Sequence, residues 1–186
     1  MLEDLKRAEF TTSISRYLFK IVLCGPGGVG KTSLFNRFIS NVFQQYQFMT
    51  IGINYAAHYL NLPQGRVDLQ IWDYGGQLNY RPFIVQFLDG TSGALLMFDL
   101  TSYSSFLQIE DWWMTLEEGL KKKVPILLVG CKDDLCEQNP ADQALSNENI
   151  QRYVEKHKFI GYIRTSAKSG KNVVACFQRL TEALFF

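Results

Sequence analysis

The chain has 186 residues, of which 47% are hydrophobic and 20% are charged, and its formal net charge is +1. This length and balance fit one domain with a well-formed core and exclude two domains of ordinary size. The small net charge argues against a general nucleic-acid-binding surface, because neutralising phosphates requires a basic field. No apolar run is long enough to cross a bilayer, so no integral membrane segment is expected.

The first half of the chain predicts a strand, a glycine loop, a helix and a hairpin, after an N-terminal extension at residues 1–16. Apolar residues predict a buried strand at 18–24 and a helix at 33–39. An irregular connection leads to two strands, at 53–62 and 66–72. The link between these two strands is so short that they must pair antiparallel.

The second half alternates strands and helices after a glycine-containing loop that passes into a helix. Strands are expected at 92–98, 124–130 and 159–164, and helices at 106–120, 147–157 and 172–184, with a loop reaching about residue 145 before the second of these helices. This order predicts an α/β fold of three layers. Its sheet has six mostly parallel strands with one antiparallel strand, and helices cover both faces.

Residues 25–32 spell Gly-Pro-Gly-Gly-Val-Gly-Lys-Thr, the phosphate-binding loop pattern G-x-x-x-x-G-K-[ST]. They lie between the first strand and the first helix, which is the context that gives the pattern its meaning. Glycines let backbone N–H groups converge on phosphate oxygens, and the helix N-terminus adds partial positive charge. Lys31 adds a full charge, and the Thr32 hydroxyl suits Mg²⁺. The loop predicts a P-loop NTPase fold and a bound nucleoside phosphate.

Polar motifs follow several predicted strands at their carboxyl ends, where ligands bind in open α/β sheets. They are Asp73-Tyr74-Gly75-Gly76-Gln77, Cys131-Lys132-Asp133-Asp134 and Thr165-Ser166-Ala167-Lys168, with Thr50-Ile51-Gly52 in the irregular connection. These motifs, together with the phosphate loop, resemble in order and spacing those of the Ras-like small GTPases. The resemblance covers roughly residues 17–184 and makes 17–186 a small GTPase domain. Residues 50–52, 110–112 and 124–130 look most like the Rab branch, whereas Gly75-Gly76 before Gln77 is similar to Arf and Roc domains.

The resemblance implies a guanine-nucleotide site. Asp134 can accept both N–H groups on the edge of guanine, where adenine would present an acceptor. The Lys132 stem can cover one face of the base, and Phe43 resembles the aromatic that packs on the other face, although a core role for Phe43 is also open. The implied nucleotide-binding residues are Gly27, Gly28, Val29, Gly30, Lys31, Thr32, Ser33, Phe43, Thr50, Gly76, Cys131, Lys132, Asp134, Ser166, Ala167 and Lys168.

The same resemblance implies a magnesium cofactor and a hydrolytic reaction on GTP. Thr32 and Thr50 match the two hydroxyl ligands of Mg²⁺, and Asp73 matches a carboxylate that acts through water; so sparse a protein contribution suits this ion. Gly76 would contact the γ-phosphate through its N–H group, Gln77 would orient the attacking water, and Lys31 would stabilise charge.

A slow GTP hydrolase that acts as a molecular switch is therefore expected. Residues 44–52 and 75–88 would lose order when the γ-phosphate leaves. These two loops would bind effectors, exchange factors and GTPase-activating proteins. No arginine in the sequence is obviously placed to reach the γ-phosphate in cis, so a partner is expected to supply one. The four cysteines show no metal spacing, so free thiols in a reducing, cytoplasmic compartment are expected, with any membrane contact made through partners.

Several residues depart from the pattern of the resembled proteins. Cys131 replaces the asparagine that usually begins the Asn-Lys-x-Asp motif, and a thiol is a poorer hydrogen-bonding group than a carboxamide. Weaker nucleotide binding and a weaker tie between the base-binding loops are expected. Leu78, Met49, Tyr74 and Gly75 alter the two mobile loops.

Two other functions stay open at this point. One is a GTP-binding interaction module with little or no hydrolysis, since Cys131 and the altered loop weaken two of the sites. The other is a P-loop kinase or ATPase, which Asp134 and the lack of an arginine-rich lid argue against. Trp72, with Tyr80 and residues 53–55, could form an aromatic patch for effectors or simply pack in the core. His58 and His157 are expected to be ordinary strand and helix residues.

Overall fold

A computed structural model describes residues 16–46, 48–77 and 81–186, except for the side chains of Arg81 and Asp142. Its six strands form one sheet in the order β2-β3-β1-β4-β5-β6. β2 pairs antiparallel with β3, and the other neighbouring strands pair parallel. The strands are β1 (Arg16–Cys24), β2 (Ile53–Leu62), β3 (Gly65–Tyr74), β4 (Gly93–Asp99), β5 (Ile126–Cys131) and β6 (Gly161–Arg164). The predicted α/β sheet is confirmed, whereas the N-terminal extension lies outside the described residues apart from Arg16.

Seven helices accompany the strands in the described part of the chain. They are α1 (Lys31–Ser40), α2 (Arg81–Gln86), α3 (Tyr103–Leu107), α4 (Ile109–Gly119), α5 (Asp133–Gln138), α6 (Asn147–His157) and α7 (Val173–Glu182), with short 3₁₀ turns at Pro140–Asp142 and Ala183–Phe185. None of the described helices is both long enough and apolar enough to span a membrane.

The sheet is covered on both faces because successive side chains of a strand point to opposite sides. Along β1, Ile21 and Leu23 belong to one buried cluster, which includes Leu34 of α1 and residues of α7. Val22 and Cys24 belong to a second cluster, which contains Trp112 of α4 and residues of α6. Each core lies between the sheet and one layer of helices, which gives the three predicted layers.

Two sequence predictions of local structure were wrong. The helix expected at 106–120 is divided into α3 and α4, and α3 begins earlier because Ser102 caps it by accepting from Ser105 N–H. The loop expected before residue 145 contains α5, whose first turn carries Asp133 and Asp134. Acidic residues favour a helix N-terminus, so the signal for α5 was present in the sequence.

Other predictions of packing are confirmed. All four cysteines are buried free thiols. Trp112 is fully buried, whereas its neighbour Trp113 is only partly buried. His58 lies on β2, and His157 is the last residue of α6.

Candidate nucleotide-binding site

A cavity of about 390 Å³ lies at the carboxyl ends of the parallel strands. Five segments that are distant in sequence line it: the phosphate loop with the start of α1, residues 43–50, the region of Gly76, residues 131–135 and residues 165–168. Ligand pockets occur preferentially at this end of such sheets. The fold therefore brings the separate sequence motifs around one space.

The phosphate loop turns tightly from β1 into α1. Gly25 and Gly30 have φ angles of 144° and 109°, and a Cβ atom on Gly25 would clash with the carbonyl of Met97. Gly30 precedes α1 and gives no side-chain cap, so the first turn of the helix presents backbone N–H groups toward the cavity. The loop is thus shaped to bind an anion.

Lys31 is the buried cation of this loop. Its Nζ atom donates to the carbonyls of Gly25 and Pro26 at 2.8 and 2.7 Å. Burial lowers the pKa of Lys31, and the nearby Asp73 opposes that shift. The ammonium group is therefore fixed at the floor of the cavity, next to the loop whose N–H groups would receive phosphate.

Three oxygen-bearing side chains meet beside Lys31. Thr32 Oγ1 lies 2.7 Å from Thr50 Oγ1 and donates to Asp73 Oδ2 at 2.7 Å. Asn54 donates to the same Asp73 oxygen at 3.1 Å, a contact that was not predicted from the sequence. Oxygen donors of this kind are the ligands that Mg²⁺ prefers.

Asp73 is completely buried, and its Oδ1 atom has no hydrogen-bond partner among the described residues. Burial raises the pKa of Asp73, although hydrogen bonds from Thr32 and Asn54 act in the opposite direction. A buried carboxylate oxygen of this kind is unfavourable unless a partner satisfies it. The described residues contain no group of three His, Cys, Asp or Glu side chains arranged for a metal, so this hydroxyl and carboxylate set is the candidate.

The two predicted mobile loops meet next to the phosphate loop. The N–H group of Gly75 donates to the carbonyl of Gly52 at 2.9 Å. A Cβ atom on Gly76 would lie 2.5 Å from Lys31 Nζ and would clash with the backbone nitrogen of Gly27. Only glycine at position 76 lets this segment approach the phosphate loop so closely.

The opposite end of the cavity contains the motif residues predicted to read a base. Lys132 has a left-handed backbone, with φ of 62°, and its Nζ atom lies 2.7 Å from Asp99 Oδ2. Ser166 is fully buried and donates to Asp134 Oδ1 at 2.6 Å, which fixes the orientation of that carboxylate. Phe43, Ala167 and Lys168 complete this part of the lining.

A family model described as "Ras family" matches residues 20–185. The chain belongs to the Ras family. Among its relatives are "Ras-related protein Rab-11A" of Dictyostelium discoideum and "GTP-binding protein ypt3" of Schizosaccharomyces pombe, which are 34% and 36% identical to it over 91% of this chain and 77% of theirs. "Ras-related protein RABA2a" of Arabidopsis thaliana is 36% identical over 91% of this chain and 76% of its own length. The predicted likeness to the Rab branch is confirmed.

Membership of the Ras family establishes the general activity. The chain is a guanine-nucleotide-binding molecular switch and a GTP hydrolase. It binds GTP and GDP. The interaction module without hydrolysis and the P-loop kinase or ATPase are therefore the weaker interpretations.

Most of the Ras-family site residues predicted from the sequence line the cavity, and four do not. Val29 is buried in the core, and Ser166 lies behind Asp134. Asp73 does not line the cavity itself but accepts a hydrogen bond from Thr32, which does. Gln77 is partly buried next to Gly76 and is not among the described lining residues. Leu135 and Thr165 line the cavity although neither was predicted as a site residue. Asp99 was not predicted either, but its position at the end of the apolar strand β4 was a signal for it.

Cys131 lies where the phosphate loop and the base-recognition segment meet. Cys131 is buried and lines the cavity. A Cβ atom added to Gly30 would lie 3.7 Å from the Cβ atom of Cys131. Burial raises the pKa of the Cys131 thiol to about 12. The thiol is therefore protonated at neutral pH and contributes mainly shape to this Ras-family site.

The predicted aromatic patch is present only in part among the described residues. The Trp72 ring lies 5.3 Å from that of Tyr55 and 6.4 Å from that of Phe87, and Lys20 Nζ is 4.5 Å from its centre. Tyr80, the other predicted member, lies outside the described residues. The effector-binding patch stays a prediction.

Proposed function

We propose that the cavity binds guanine nucleotide with Mg²⁺ and that Gln77 positions the water that attacks the γ-phosphate. The observation that supports this best is the convergence of the phosphate loop, Thr50, Gly76, Asp134 and Ala167 around one space. A single bound ligand would explain why segments so distant in sequence line one cavity. The roles of individual residues follow from their chemistry.

Guanine would be selected by Asp134, whose carboxylate can accept both N–H groups on one edge of the base. The bond from Ser166 restricts this carboxylate before the nucleotide arrives, so less ordering accompanies binding. The Lys132 stem would pack against one face of the base and Phe43 against the other. The ion pair with Asp99 supports this role of Lys132, because it limits where the ammonium group can lie.

The phosphates would lie against the loop of residues 25–32. Lys31 and the N–H groups at the start of α1 would contact their oxygens. Thr32, Thr50 and, through water, Asp73 would hold Mg²⁺, an assignment supported by the 2.7 Å contacts among them and the buried Asp73 Oδ1 atom. The ion would neutralise charge on the phosphate oxygens.

Hydrolysis would depend on Gln77 and on the N–H group of Gly76. The tight approach of Gly76 to Lys31 and Gly27 supports a contact between this N–H group and the γ-phosphate. Gln77 follows directly and would orient water for in-line attack. No arginine lies among the described residues of the cavity lining, so a slow intrinsic rate and an arginine supplied by a partner are proposed.

The two loops at residues 44–52 and 75–88 would report the bound nucleotide to partners. Thr50 and Gly76 would share the γ-phosphate as a ligand, so its loss would release both loops. Effectors, exchange factors and GTPase-activating proteins are the proposed partners. A cytoplasmic location, with membrane contact through partners, is proposed from the four buried free thiols.

The first test identifies the nucleotide released from purified protein on denaturation, followed by single-turnover hydrolysis of bound GTP. Gln77→Ala should slow hydrolysis at least about tenfold, because a positioned general catalyst contributes this much or more. Gln64→Ala is the matched control, since Gln64 is exposed in the turn between β2 and β3. Released guanine nucleotide and a selective effect of Gln77→Ala would support the proposal.

Two outcomes would contradict it. Bound GTP that remains intact for hours in the parent protein would instead favour the interaction module. Equal rates of GTP hydrolysis in Gln77→Ala and Gln64→Ala would contradict the water-positioning role of Gln77. That result would not bear on the proposal that the cavity binds nucleotide.

A further inference from the structure

Asp133 lies between the two proposed base-recognition residues and is itself buried, with 1% of its residue surface exposed. Its Oδ1 atom lies 2.6 Å from both Nε and Nη2 of Arg164. Its Oδ2 atom lies 2.6 Å from Nζ of Lys171. One buried carboxylate therefore binds two cations from different segments of the chain.

These contacts join the two loops that form the base end of the cavity. Asp133 starts α5, directly after β5, whereas Arg164 ends β6 and Lys171 follows the motif at 166–168. Two backbone hydrogen bonds support this arrangement: the first joins the two loops, and the second lies within the loop that follows β6. Asp133 N–H donates to the carbonyl of Thr165, and Ser166 N–H donates to that of Lys171, both at 3.0 Å.

The two cations have further partners at the surface. Arg164 Nη1 donates to Gln143 at 2.9 Å, and Lys171 Nζ lies 2.5 Å from Glu137. Hydrogen bonds to Asp133 and then Glu137 raise the pKa of Lys171. Glu137 is about half exposed, so water and salt weaken its ion pair. Asp133 is buried, so its ion pairs are weakened less.

A buried carboxylate that loses a cation is strongly unfavourable, so the loops must stay in register to keep this group satisfied. Asp134 and Lys132 flank Asp133 along the chain. Any movement of the Asp133 backbone therefore moves both proposed base-recognition side chains relative to residues 165–168.

We propose that Asp133 is a positioning residue for guanine recognition, which holds Lys132 and Asp134 in place by pairing with Arg164 and Lys171. This inference rests on the proposed function of the cavity. It also explains how the chain functions without an asparagine at position 131. The connection between the loops, expected to be weak with a thiol there, is provided by the carboxylate of Asp133, two residues later.

The test compares release of GDP and of inosine diphosphate, which lacks the exocyclic amino group that Asp134 would bind. Asp133→Asn should release GDP about tenfold faster, because an approximately isosteric amide no longer balances two cations. It should also reduce the preference for GDP over inosine diphosphate at least threefold. Glu137→Gln is the matched control, with both quantities expected within about twofold of the parent.

A change confined to overall stability would affect both nucleotides alike. An unchanged preference for GDP over inosine diphosphate in Asp133→Asn would therefore overturn the positioning role. If Asp133→Asn does not fold, the same ratio measured with Lys171→Gln decides the question by the same criterion. A parent protein that binds GDP no better than ADP would instead refute the proposed function itself.

A double variant provides a second, independent comparison. In a Cys131→Asn background, where the carboxamide can tie the loops, Asp133→Asn should accelerate GDP release less than it does in the parent. An equal acceleration in the two backgrounds would contradict the inference that Asp133 supplies the tie that Cys131 lacks.

Discussion

Cys131 gives the site a buried, protonated thiol that lines the cavity and lies beside Gly30 of the phosphate loop. Its raised pKa, about 12, results from burial and keeps it from acting as a thiolate at neutral pH. A thiol is a weak donor and a weak acceptor. Cys131 therefore fills space beside Gly30 and adds little hydrogen bonding to a bound nucleotide.

Cys131→Asn should slow GDP dissociation roughly three- to tenfold, because one or two net hydrogen bonds are worth about 0.5–1.5 kcal/mol each. Release of a fluorescent GDP analogue into excess unlabelled GDP measures the rate. Cys131→Ala serves as the control and should not slow release. If Cys131→Asn and the parent release nucleotide equally fast, the thiol is not what limits retention.

The segment that directly follows α2 is fixed to the sheet by hydrogen bonds from β1 and β3. Tyr74, the last residue of β3, is buried and donates from its hydroxyl to the carbonyl of Phe87 at 2.9 Å. Lys20 of β1 donates to the same carbonyl at 2.5 Å and to that of Asp89 at 2.8 Å. These bonds anchor the C-terminal end of the second loop, residues 75–88, to the sheet.

Tyr74→Phe should lower the free energy of unfolding by about 1 kcal/mol, since it removes one buried hydrogen bond and keeps the ring. Hydrogen exchange should become faster in residues 82–88 because one anchor of α2 is lost. Chemical denaturation and exchange measured by mass spectrometry check the two effects.

Tyr162→Phe is the matched control for this variant. The Tyr162 hydroxyl is buried and has no hydrogen-bond partner among the described residues, so its removal should leave stability unchanged or slightly increased. Equal losses in Tyr74→Phe and Tyr162→Phe would show that the bond to Phe87 contributes nothing specific.

The free energy of unfolding of the whole molecule depends on the charges of Asp73 and Lys31, which are buried beside the cavity. Burial raises the pKa of Asp73 above 3.8 and lowers that of Lys31 below 10.5. The contribution of Asp73 to stability therefore falls as the pH rises from 3.8 through its raised pKa. The contribution of Lys31 falls as the pH drops from 10.5 through its lowered pKa. Between the two native-state pKa values both groups are charged at some free-energy cost, which Mg²⁺ and phosphate would offset.

Asp73→Asn should therefore have opposite effects with and without ligand. In EDTA without nucleotide its melting temperature should equal or exceed that of the parent, because a buried charge has been removed. At Mg²⁺·GDP concentrations 100-fold above the parent's Kd, the parent gains about 2.7 kcal/mol, and the variant should gain clearly less. As the pH falls through the raised pKa of Asp73, the parent's gain should shrink as well.

Thermal melts across this pH range, with Asp68→Asn as control, provide the measurement. Asp68 lies on the same strand and pairs with Arg66 near the surface, away from the cavity lining. A ligand-induced gain as large in Asp73→Asn as in the parent would contradict the proposed role of Asp73 in holding Mg²⁺.

Local patterns explain which features could be predicted from the sequence. The loop at 25–32 and the helix Asn147–His157 are encoded by contiguous residues, and both were predicted correctly. The pairing of Lys132 with Asp99 depends on the parallel register of β4 and β5, which places Asp99 next to Cys131. The bonds of Asp133 to Arg164 and Lys171 likewise depend on tertiary contacts. Neither arrangement leaves a periodic signal in the chain.

The single hydrogen bond between Gly75 and Gly52 extends the β2–β3 ladder one step past the Ile53–Tyr74 pair. Both loops thus leave the sheet from one shared base, next to Thr50 and Gly76. The first of these loops also carries Tyr46 and Ile51, which are 89% and 78% exposed. In the proposed function Thr50 and Gly76 act at this base, so substitution of an exposed side chain such as Tyr46 would change the binding partners while the geometry at the base is kept.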